Sequence, residues 1–411
     1  MRWAQFGAFS PLMQMHRQVD TSTLLQFPWG YGADALTNYL FYTKLHTALF
    51  PYLYSYALQA STNGLPIMRP LVLMNQADTN TYGSVYNTSH SFLFGNELLV
   101  APVITNTATS RTVYLPQGNW YDYFSNVRYS GGQTITWVNA DQHQMPLFVR
   151  EGAVIPMIST NVQTLADPAY VSNPNITTAD SSLQFLVYPT TNSSFTVYDS
   201  TSLSCQSNGT VIAATLVSVL RPILLRFFAA QPFGVERDGV HLPQFTNTTD
   251  FAGASLGWFY DGAGFVNVKF NHVGGSAQIA FGPDSVGDGI SDSWRATQFG
   301  SPTSTNSASC ATCDPDGDGL NNLQEYLAGT SPQDASNLLR VNSFLPSGND
   351  ADVAFGTVLG MNYRVEYTSD LVTGVWLVLS NNIAGSGGII QIVDPGAINQ
   401  STRFYRVRLL P

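Results

Sequence analysis

Apolar residues recur with helical spacing over residues 33–60, at positions i, i+3 and i+4 around almost the whole circumference. This pattern predicts a largely buried helix, which Pro51 should kink or divide and which Gly64 is suited to cap in the left-handed conformation. An apolar, helix-like run at residues 2–16 precedes it, and an apolar run at residues 65–74 that predicts a buried strand follows it. The N-terminal part therefore has the helix-and-strand alternation of an α/β domain.

From about residue 90 onward the pattern changes to short apolar runs separated by Gly, Pro and Asn turns. Such closely punctuated runs predict antiparallel strands that pair into β-sandwiches. They fall into three blocks, at residues 90–157, 183–281 and 338–411. The pattern as a whole predicts a multidomain chain in which an α/β segment is followed by mainly antiparallel β-sandwich domains.

Composition narrows the possible partners. The 411 residues suffice for roughly three domains. No apolar stretch reaches the ~18 residues of a membrane span, and no basic patch favours nucleic acid, so neither partner is expected. The net charge of −10 is concentrated in residues 283–334, which hold eight acids and one base, Arg295. This concentration favours a cation site over a generally acidic surface.

The acidic segment contains a twelve-residue loop with the ligand spacing of an EF-hand. Oxygen-bearing groups stand at positions 1, 3, 5, 7, 9 and 12: Asp314, Asp316, Asp318, the carbonyl of Leu320, Asn322 and Glu325. Gly319 at position 6 permits the sharp turn that brings these oxygens round one point. The spacing predicts a structural Ca²⁺ site, and the alternative is a solvated acidic loop.

A second, less complete loop lies upstream. Asp284, Asp288 and Asp292 keep positions 1, 5 and 9, but Val286 and Arg295 stand at positions 3 and 12, where ligands are needed. We expect these three aspartates to bind an ion weakly or to lend oxygens to a shared one.

Together the two loops, over residues 283–334, resemble the thrombospondin type 3 repeats of secreted bacterial proteins. The resemblance implies a spacer made rigid by calcium. Cys310 and Cys313 lie within it, and we interpret them as a small disulfide that pins the loop, with free thiols as the alternative. Cys205 is left without a partner.

Seven segments in order resemble glycoside hydrolase family 31, the α-glucosidases and α-xylosidases. They include RWAQFGAFSP (2–11), LFPYLYS (49–55), GLPIMRPL (64–71), FGNELLVAPV (94–103), VYLPQGNWYD (113–122) and PLFVREGAVIPM (146–157). The resemblance is strong over residues 2–157 and weaker over residues 177–281. It implies a partial (β/α)₈ barrel end followed by mainly antiparallel β-sandwich domains.

The implied domains are the C-terminal part of a glycosidase barrel, a proximal and a distal β-sandwich, the calcium spacer and a C-terminal β-sandwich. Their expected bounds are residues 1–85, 86–160, 161–282, 283–334 and 335–411. Because a complete barrel takes ~250 residues, we expect most of it to lie before residue 1.

The family is a retaining one, in which a carboxylate nucleophile and a carboxylic acid lie ~5 Å apart. The resemblance implies that both precede the Arg2-Trp3 segment, so no catalytic residue is assigned here and the chain alone is expected to be inactive. Asp20 and Asp34 could be paired, but solvated loop acids are the better interpretation.

His16 matches the family's histidine that hydrogen-bonds a sugar hydroxyl in the −1 subsite, although Gln14 stands where the family usually has arginine. His16 is therefore the predicted substrate contact. Arg69 and Arg150 are expected to be structural.

The sequence thus predicts a fragment of a secreted or cell-surface α-glycosidase that hydrolyses α-glucosides or α-xylosides in oligo- or polysaccharides. Its partner would be the missing N-terminal part of the same enzyme. The alternative is a non-enzymatic, calcium-dependent protein for carbohydrate binding or surface attachment. Secretion is inferred from the calcium loops and the composition.

Overall fold

The computed structural model describes residues 1–14, 28–82, 90–105, 107–138, 143–166, 181–358, 361–372 and 374–410. The described α-helices are α1 (Arg2–Gly7), α2 (Ala33–Ala48), α3 (Phe50–Asn63), α4 (Leu71–Met74), α5 (Thr248–Gly253), α6 (Asp292–Phe299) and α7 (Asn322–Ala328). Short 3₁₀ helices lie at Pro28–Tyr31, Thr79–Thr81 and Ala397–Asn399.

Strands make up most of the remaining regular structure. The first fourteen are β1 (Met68–Pro70), β2 (Phe92–Phe94), β3 (Leu98–Val100), β4 (Ser110–Leu115), β5 (Asn119–Asp122), β6 (Arg128–Ser130), β7 (Gln133–Val138), β8 (Leu147–Arg150), β9 (Val154–Ile158), β10 (Leu183–Val187), β11 (Ser193–Thr196), β12 (Ser202–Ser207), β13 (Ile212–Ser218) and β14 (Arg221–Phe228). The others are β15 (Gly234–Arg237), β16 (Val240–His241), β17 (Gln244–Phe245), β18 (Gly257–Tyr260), β19 (Phe265–His272), β20 (Gly275–Gly282), β21 (Val341–Ser347), β22 (Asp350–Gly356), β23 (Asn362–Thr368), β24 (Leu377–Ala384), β25 (Ile389–Asp394) and β26 (Phe404–Leu410).

The long N-terminal helix is divided, as the position of Pro51 predicts. α2 ends at Ala48 and α3 begins at Phe50, so the proline falls in the first turn of α3, where it needs no amide partner. Gly64 caps α3 with φ 75°, which confirms the predicted left-handed cap.

One expectation for a strand was wrong in detail. Residues 65–74 contain only the three-residue strand β1, and α4 follows at once from Leu71. Apolar runs of this length do not by themselves distinguish a strand from a buried helical turn.

The chain divides into two compact units, the first formed by residues 1–209, 214–230 and 261–276 and the second by the rest. In the first unit, β1, β2, β3, β8, β5 and β6 form an antiparallel sheet in that order. β4 pairs with β7, and β10 lies between β9 (antiparallel) and β14 (parallel), with β19 beyond β14. α2 and α3 contribute their buried aromatic residues, including Tyr42, Tyr52 and Tyr56, to the main core.

The second unit contains two three-stranded antiparallel sheets, β21-β22-β25 and β24-β23-β26. Their inner faces share a core that includes Val353, Phe355, Tyr363 and Val365. A smaller core of Ile290, Trp294, Ala311 and Tyr326 holds together the two acidic loops and their helices.

Among the described residues, the regular structure is thus mostly antiparallel strands, with α1–α3 at the start of the chain and no closed barrel. None of the described helices is long and apolar enough to cross a bilayer.

Candidate functional site

The two acidic loops of the second unit have the same hydrogen-bonding pattern. In each, the aspartate at position 1 accepts hydrogen bonds from the backbone amides at positions 4 and 6, at 2.7–3.0 Å: Asp284 from Gly287 and Gly289, and Asp314 from Gly317 and Gly319. These four glycines have φ between 78° and 96°, a region that side-chain-bearing residues rarely adopt. Position 8 then caps the following helix in both loops, as Ser291 for α6 and Asn321 for α7.

The downstream loop gathers carboxylates. One carboxylate oxygen from each of Asp314, Asp316 and Asp318 lies within 4.8 Å of the other two. Glu325, on the first turn of α7, is completely buried. Among the described residues, neither oxygen of Glu325 has a hydrogen-bond partner, nor has Oδ2 of Asp316 or of Asp318. The structure therefore brings three of the predicted ligands into one acidic cluster, and Glu325 lies near enough to be repelled by Asp316 and Asp318.

Burial, followed by repulsion from Asp316 and Asp318, raises the pKa of Glu325 to about 8. A buried carboxylate without a partner is costly, and like charges at this separation make ionisation harder still. A divalent cation would remove both penalties. The donors are all oxygens, which suits a hard cation such as Ca²⁺ that takes six to eight of them. The residues present therefore fit calcium.

Asn322 at position 9 is held by the segment before the loop. Its Nδ2 donates hydrogen bonds to the carbonyls of Ala308 and Cys310, at 2.9 and 2.7 Å. Its backbone amide donates to the carbonyl of Cys313 at 2.8 Å. Cys310 and Cys313 form a disulfide, which confirms the predicted pairing, and Cys205 is a buried free thiol. Oδ1 of Asn322 is buried and has no partner among the described residues, so it is available to an ion.

Leu320 at position 7 completes the turn. Its backbone amide donates a hydrogen bond to Oδ1 of Asp318 at 2.7 Å. That bond uses one oxygen of Asp318 for the loop and leaves the other, Oδ2, for a ligand.

The upstream loop is arranged differently at its ligand positions. Nη2 of Arg295 lies 2.6 and 2.7 Å from the two carboxylate oxygens of Asp288, and Arg295 is completely buried. Asp292 accepts hydrogen bonds from the amide and hydroxyl of Ser285, at 3.0 and 2.6 Å. The three aspartates predicted as ligands in this loop are thus bonded to the protein itself.

One buried acid of this unit was not singled out by sequence reasoning. Glu236 on β15 accepts hydrogen bonds from the hydroxyls of Ser291 and Ser293, both at 2.5 Å, and from Tyr326 at 3.4 Å. Burial raises its pKa to about 7. The sequence gives little signal, because Glu236 is followed directly by Arg237 and its partners are more than fifty residues away along the chain.

In the first unit, the predicted sugar contact His16 lies outside the described residues, as do Asp20 and Asp141. The other acids of the first 150 residues stand at separate structural positions. Asp34 is exposed on the first turn of α2, and Asp78 caps a 3₁₀ turn. Glu97 is bound by Tyr52 and Tyr56, and Asp122 accepts a hydrogen bond from the indole of Trp137 at 2.8 Å.

The two arginines expected to be structural lie against aromatic rings. Arg69 is buried, with its guanidinium 5.0 Å from the ring centroid of Tyr56 and its Nε donating to the carbonyl of Pro66 at 2.8 Å. Arg150 lies 4.9 Å from the ring centroid of Trp120.

A cavity of about 560 Å³ opens beside α1 in the first unit. Its described lining is mainly apolar, including Trp3, Phe6, Met68 and Phe92, together with Arg2 and His90. No described acid lines it, so it does not supply the carboxylate pair of a retaining glycosidase.

The N-terminal part of the chain matches two known protein-family domains. Residues 1–56 match the glycosyl hydrolases family 31 TIM-barrel domain, and residues 64–155 match the glycosyl hydrolase family 31 C-terminal domain. These matches confirm the resemblance to family 31 in its barrel and C-terminal domains.

Curated relatives with glycosidase or glycosyltransferase names also match this chain. An isomaltosyltransferase of Sporosarcina globispora is 30% identical over 63% of this chain and 24% of its own length. Alpha-glucosidase 2 of Bacillus thermoamyloliquefaciens is 35% identical over 38% of this chain and 19% of its own length. An alpha-xylosidase of Saccharolobus solfataricus is 31% identical over 48% of this chain and 25% of its own length. The chain thus spans about a quarter or less of the relatives it matches.

Two solved structures show the same fold. A GH31 dextranase of Flavobacterium johnsoniae, complexed with isomaltotriose, aligns with 68% of this chain and 36% of its own at 27% identity and a TM-score of 0.58. The cycloalternan-forming enzyme of Listeria monocytogenes aligns with 100% of this chain and 36% of its own at 20% identity and a TM-score of 0.62. The homologues of this chain are therefore glycoside hydrolases of family 31.

Proposed function

We propose that this chain is the C-terminal portion of a retaining α-glycosidase that acts on α-linked glucosyl or xylosyl saccharides. The observation that carries the proposal is the pair of adjoining matches to the barrel and C-terminal domains of family 31. The names of the relatives, a glucosidase, a xylosidase and an isomaltosyltransferase, support an α-linked oligo- or polysaccharide as substrate. His16 would contact the sugar in the −1 subsite.

The chain alone should not catalyse hydrolysis. Each described acid of the first 150 residues caps a turn, is exposed, or is bound by buried aromatic hydroxyl or indole groups. None is arranged as the pair of carboxylates ~5 Å apart that retention requires. The nucleophile and the acid would come from a preceding part of the same enzyme.

Activity assays test this proposal. The 411-residue chain should show no turnover of 4-nitrophenyl α-glucoside or α-xyloside, and measurable turnover would contradict it. The same chain joined to the polypeptide encoded directly upstream should hydrolyse one of them with the α-anomer as first product, as seen by NMR. In that longer protein, His16→Ala should lower kcat/KM, whereas Asp34→Asn, which removes an exposed carboxylate, should not.

The alternative is a non-enzymatic module for carbohydrate binding or surface attachment. None of the comparisons favours it. It would be preferred if the upstream DNA encoded no barrel and the chain alone bound an α-glucan.

We further propose that the downstream loop binds one structural calcium ion. Asp314, Asp316, Asp318, Asn322 and Glu325 would hold it with their side chains and Leu320 with its carbonyl. Calcium would supply positive charge to a cluster that otherwise buries an unpaired carboxylate. The ion would thereby make residues 283–334 a rigid spacer of the thrombospondin type 3 kind.

Thermal unfolding tests the calcium site. The chain should unfold at a higher temperature in Ca²⁺ than in EDTA, and Glu325→Gln should abolish that difference. Asp34→Asn, the charge-matched control on α2, should retain it. Equal unfolding temperatures of the unaltered chain in both buffers would contradict the proposal.

A calcium site and a disulfide both favour a location outside the cytoplasm, where Ca²⁺ is plentiful and thiols are oxidised. We therefore propose that the protein is secreted or held at the bacterial cell surface.

A further inference from the structure

The upstream and downstream loops share a backbone fold but differ in charge at position 12. We infer that the guanidinium of Arg295 takes the place of a metal ion in the upstream loop, so that this loop is folded without calcium. The comparison with an ion-binding loop rests on the calcium site proposed above.

Position 12 is placed in the same way in both loops. Arg295 and Glu325 each lie on the first turn of the helix that follows the loop, and both are completely buried. Neither carboxylate oxygen of Glu325 has a hydrogen-bond partner among the described residues, whereas Nη2 of Arg295 contacts both carboxylate oxygens of Asp288. A cation of the protein is therefore already present where the downstream loop lacks one.

Asp288 and Asp318 show the consequence at position 5. Oδ2 of Asp318 is buried and unpaired among the described residues, while both oxygens of Asp288 are occupied by Arg295. A metal ion at Asp288 would have to displace the guanidinium or lie beside it against charge repulsion.

The remaining contacts hold the guanidinium in place. Nη1 of Arg295 donates hydrogen bonds to the carbonyls of Ser304 and Ser309, the former at 3.1 Å. Position 3 is Val286, which has no side-chain oxygen, and Asp292 is bonded to Ser285. Positions 3 and 12 thus lack a ligand, and the carboxylates at positions 5 and 9 are already bonded within the protein, which leaves too few oxygens for Ca²⁺.

Hydrogen exchange on the unaltered chain separates the loops without any substitution. The amides of Gly287 and Gly289 bond to Asp284, and those of Gly317 and Gly319 bond to Asp314 in the same way. When Ca²⁺ is replaced by EDTA, exchange at Gly317 and Gly319 should accelerate at least tenfold, with little change at Gly287 and Gly289. Equal acceleration in both loops would overturn the inference. No acceleration in either loop would contradict the downstream calcium site while supporting a calcium-independent upstream loop.

Calcium stoichiometry from titration calorimetry gives a second test. The unaltered chain should bind one Ca²⁺, and the double variant Val286→Asp/Arg295→Glu, which restores both ligand positions, should bind one more. Arg295→Lys keeps a cation at position 12 and should leave the stoichiometry unchanged. The inference would be overturned if the unaltered chain bound two Ca²⁺ ions and the Glu325→Gln variant still bound one. It would also be overturned if the double variant folded but bound no additional ion. No ion in the unaltered chain but one in the double variant would contradict only the downstream site.

Discussion

The hydroxyl of Tyr56 donates a hydrogen bond to Oε2 of Glu97 at 2.7 Å and accepts one from the amide of Asn96 at 3.1 Å. Tyr56 lies on α3, and Glu97 lies in the turn between β2 and β3. Burial raises the pKa of Glu97, and the hydrogen bonds from Tyr56 and Tyr52 oppose that rise. This small network therefore joins the helical segment of the first unit to its first sheet.

Tyr56→Phe should destabilise the first unit by about 1–3 kcal/mol, because it removes one hydrogen bond to a buried carboxylate, which keeps Tyr52, and leaves the Asn96 amide only Glu97 as an acceptor. Tyr54→Phe, at a half-exposed position two residues earlier on the same helix, should cost less than ~0.5 kcal/mol. Urea unfolding of both variants measures the difference. Equal losses would show that the hydrogen bonds to Glu97 do not contribute.

Gly95 adopts φ 65° in the same turn, and a Cβ at this position would overlap the ring and hydroxyl of Tyr52 and the ring of Tyr56. Gly64 has a similar φ of 75° but nothing near its missing Cβ. Gly64→Ala should therefore cost about 1 kcal/mol from backbone strain alone. Gly95→Ala should cost about 3 kcal/mol or more, because rigid aromatic side chains must also move. Thermal unfolding of the pair checks this, and similar melting temperatures would mean that the core accommodates the methyl group.

The sequence predicted what depends on local spacing and missed what depends on distant partners. The division of the N-terminal helix at Pro51 and its end at Gly64 follow from local backbone chemistry, and the structure confirms them. The oxygen spacing of the downstream loop is likewise a local pattern. The ion pair of Arg295 with Asp288 could not be predicted from the sequence, because only the fold shows that the side chain at position 12 points back into the loop. Glu236 could not be assigned at all, because its partners Ser291 and Ser293 lie on another element.

Glu236 should make stability depend on pH. Burial raises its pKa to about 7 in the folded chain, above its ordinary value of 4.5. The stability it contributes is therefore fully present below pH ~4.5 and is lost as pH rises through about 7, by roughly 3 kcal/mol. Neighbouring His241 has a pKa lowered by burial to about 4, which acts in the opposite direction.

Glu236→Gln isolates the contribution of Glu236, because His241 is the same in both proteins. With Ca²⁺ present throughout, the stability of the unaltered chain relative to Glu236→Gln should fall between pH 4.5 and pH 7.5. Chemical denaturation at a series of pH values measures this difference. A difference that is constant over this range would show that Glu236 does not change its protonation on folding.

The Cys310–Cys313 disulfide should strengthen calcium binding through Asn322. Nδ2 of Asn322 donates to the carbonyl of Cys310 and its amide donates to that of Cys313, so the disulfide fixes both acceptors. Groups that orient a metal ligand typically change affinity by 10–100-fold. The double variant Cys310→Ser/Cys313→Ser should therefore raise the Kd for Ca²⁺ about tenfold, and reduction of the unaltered chain should do the same. Cys205→Ala, which removes the buried free thiol, should leave the Kd unchanged. An unchanged Kd in the Cys310→Ser/Cys313→Ser variant would mean that the hydrogen bonds hold Asn322 without the disulfide.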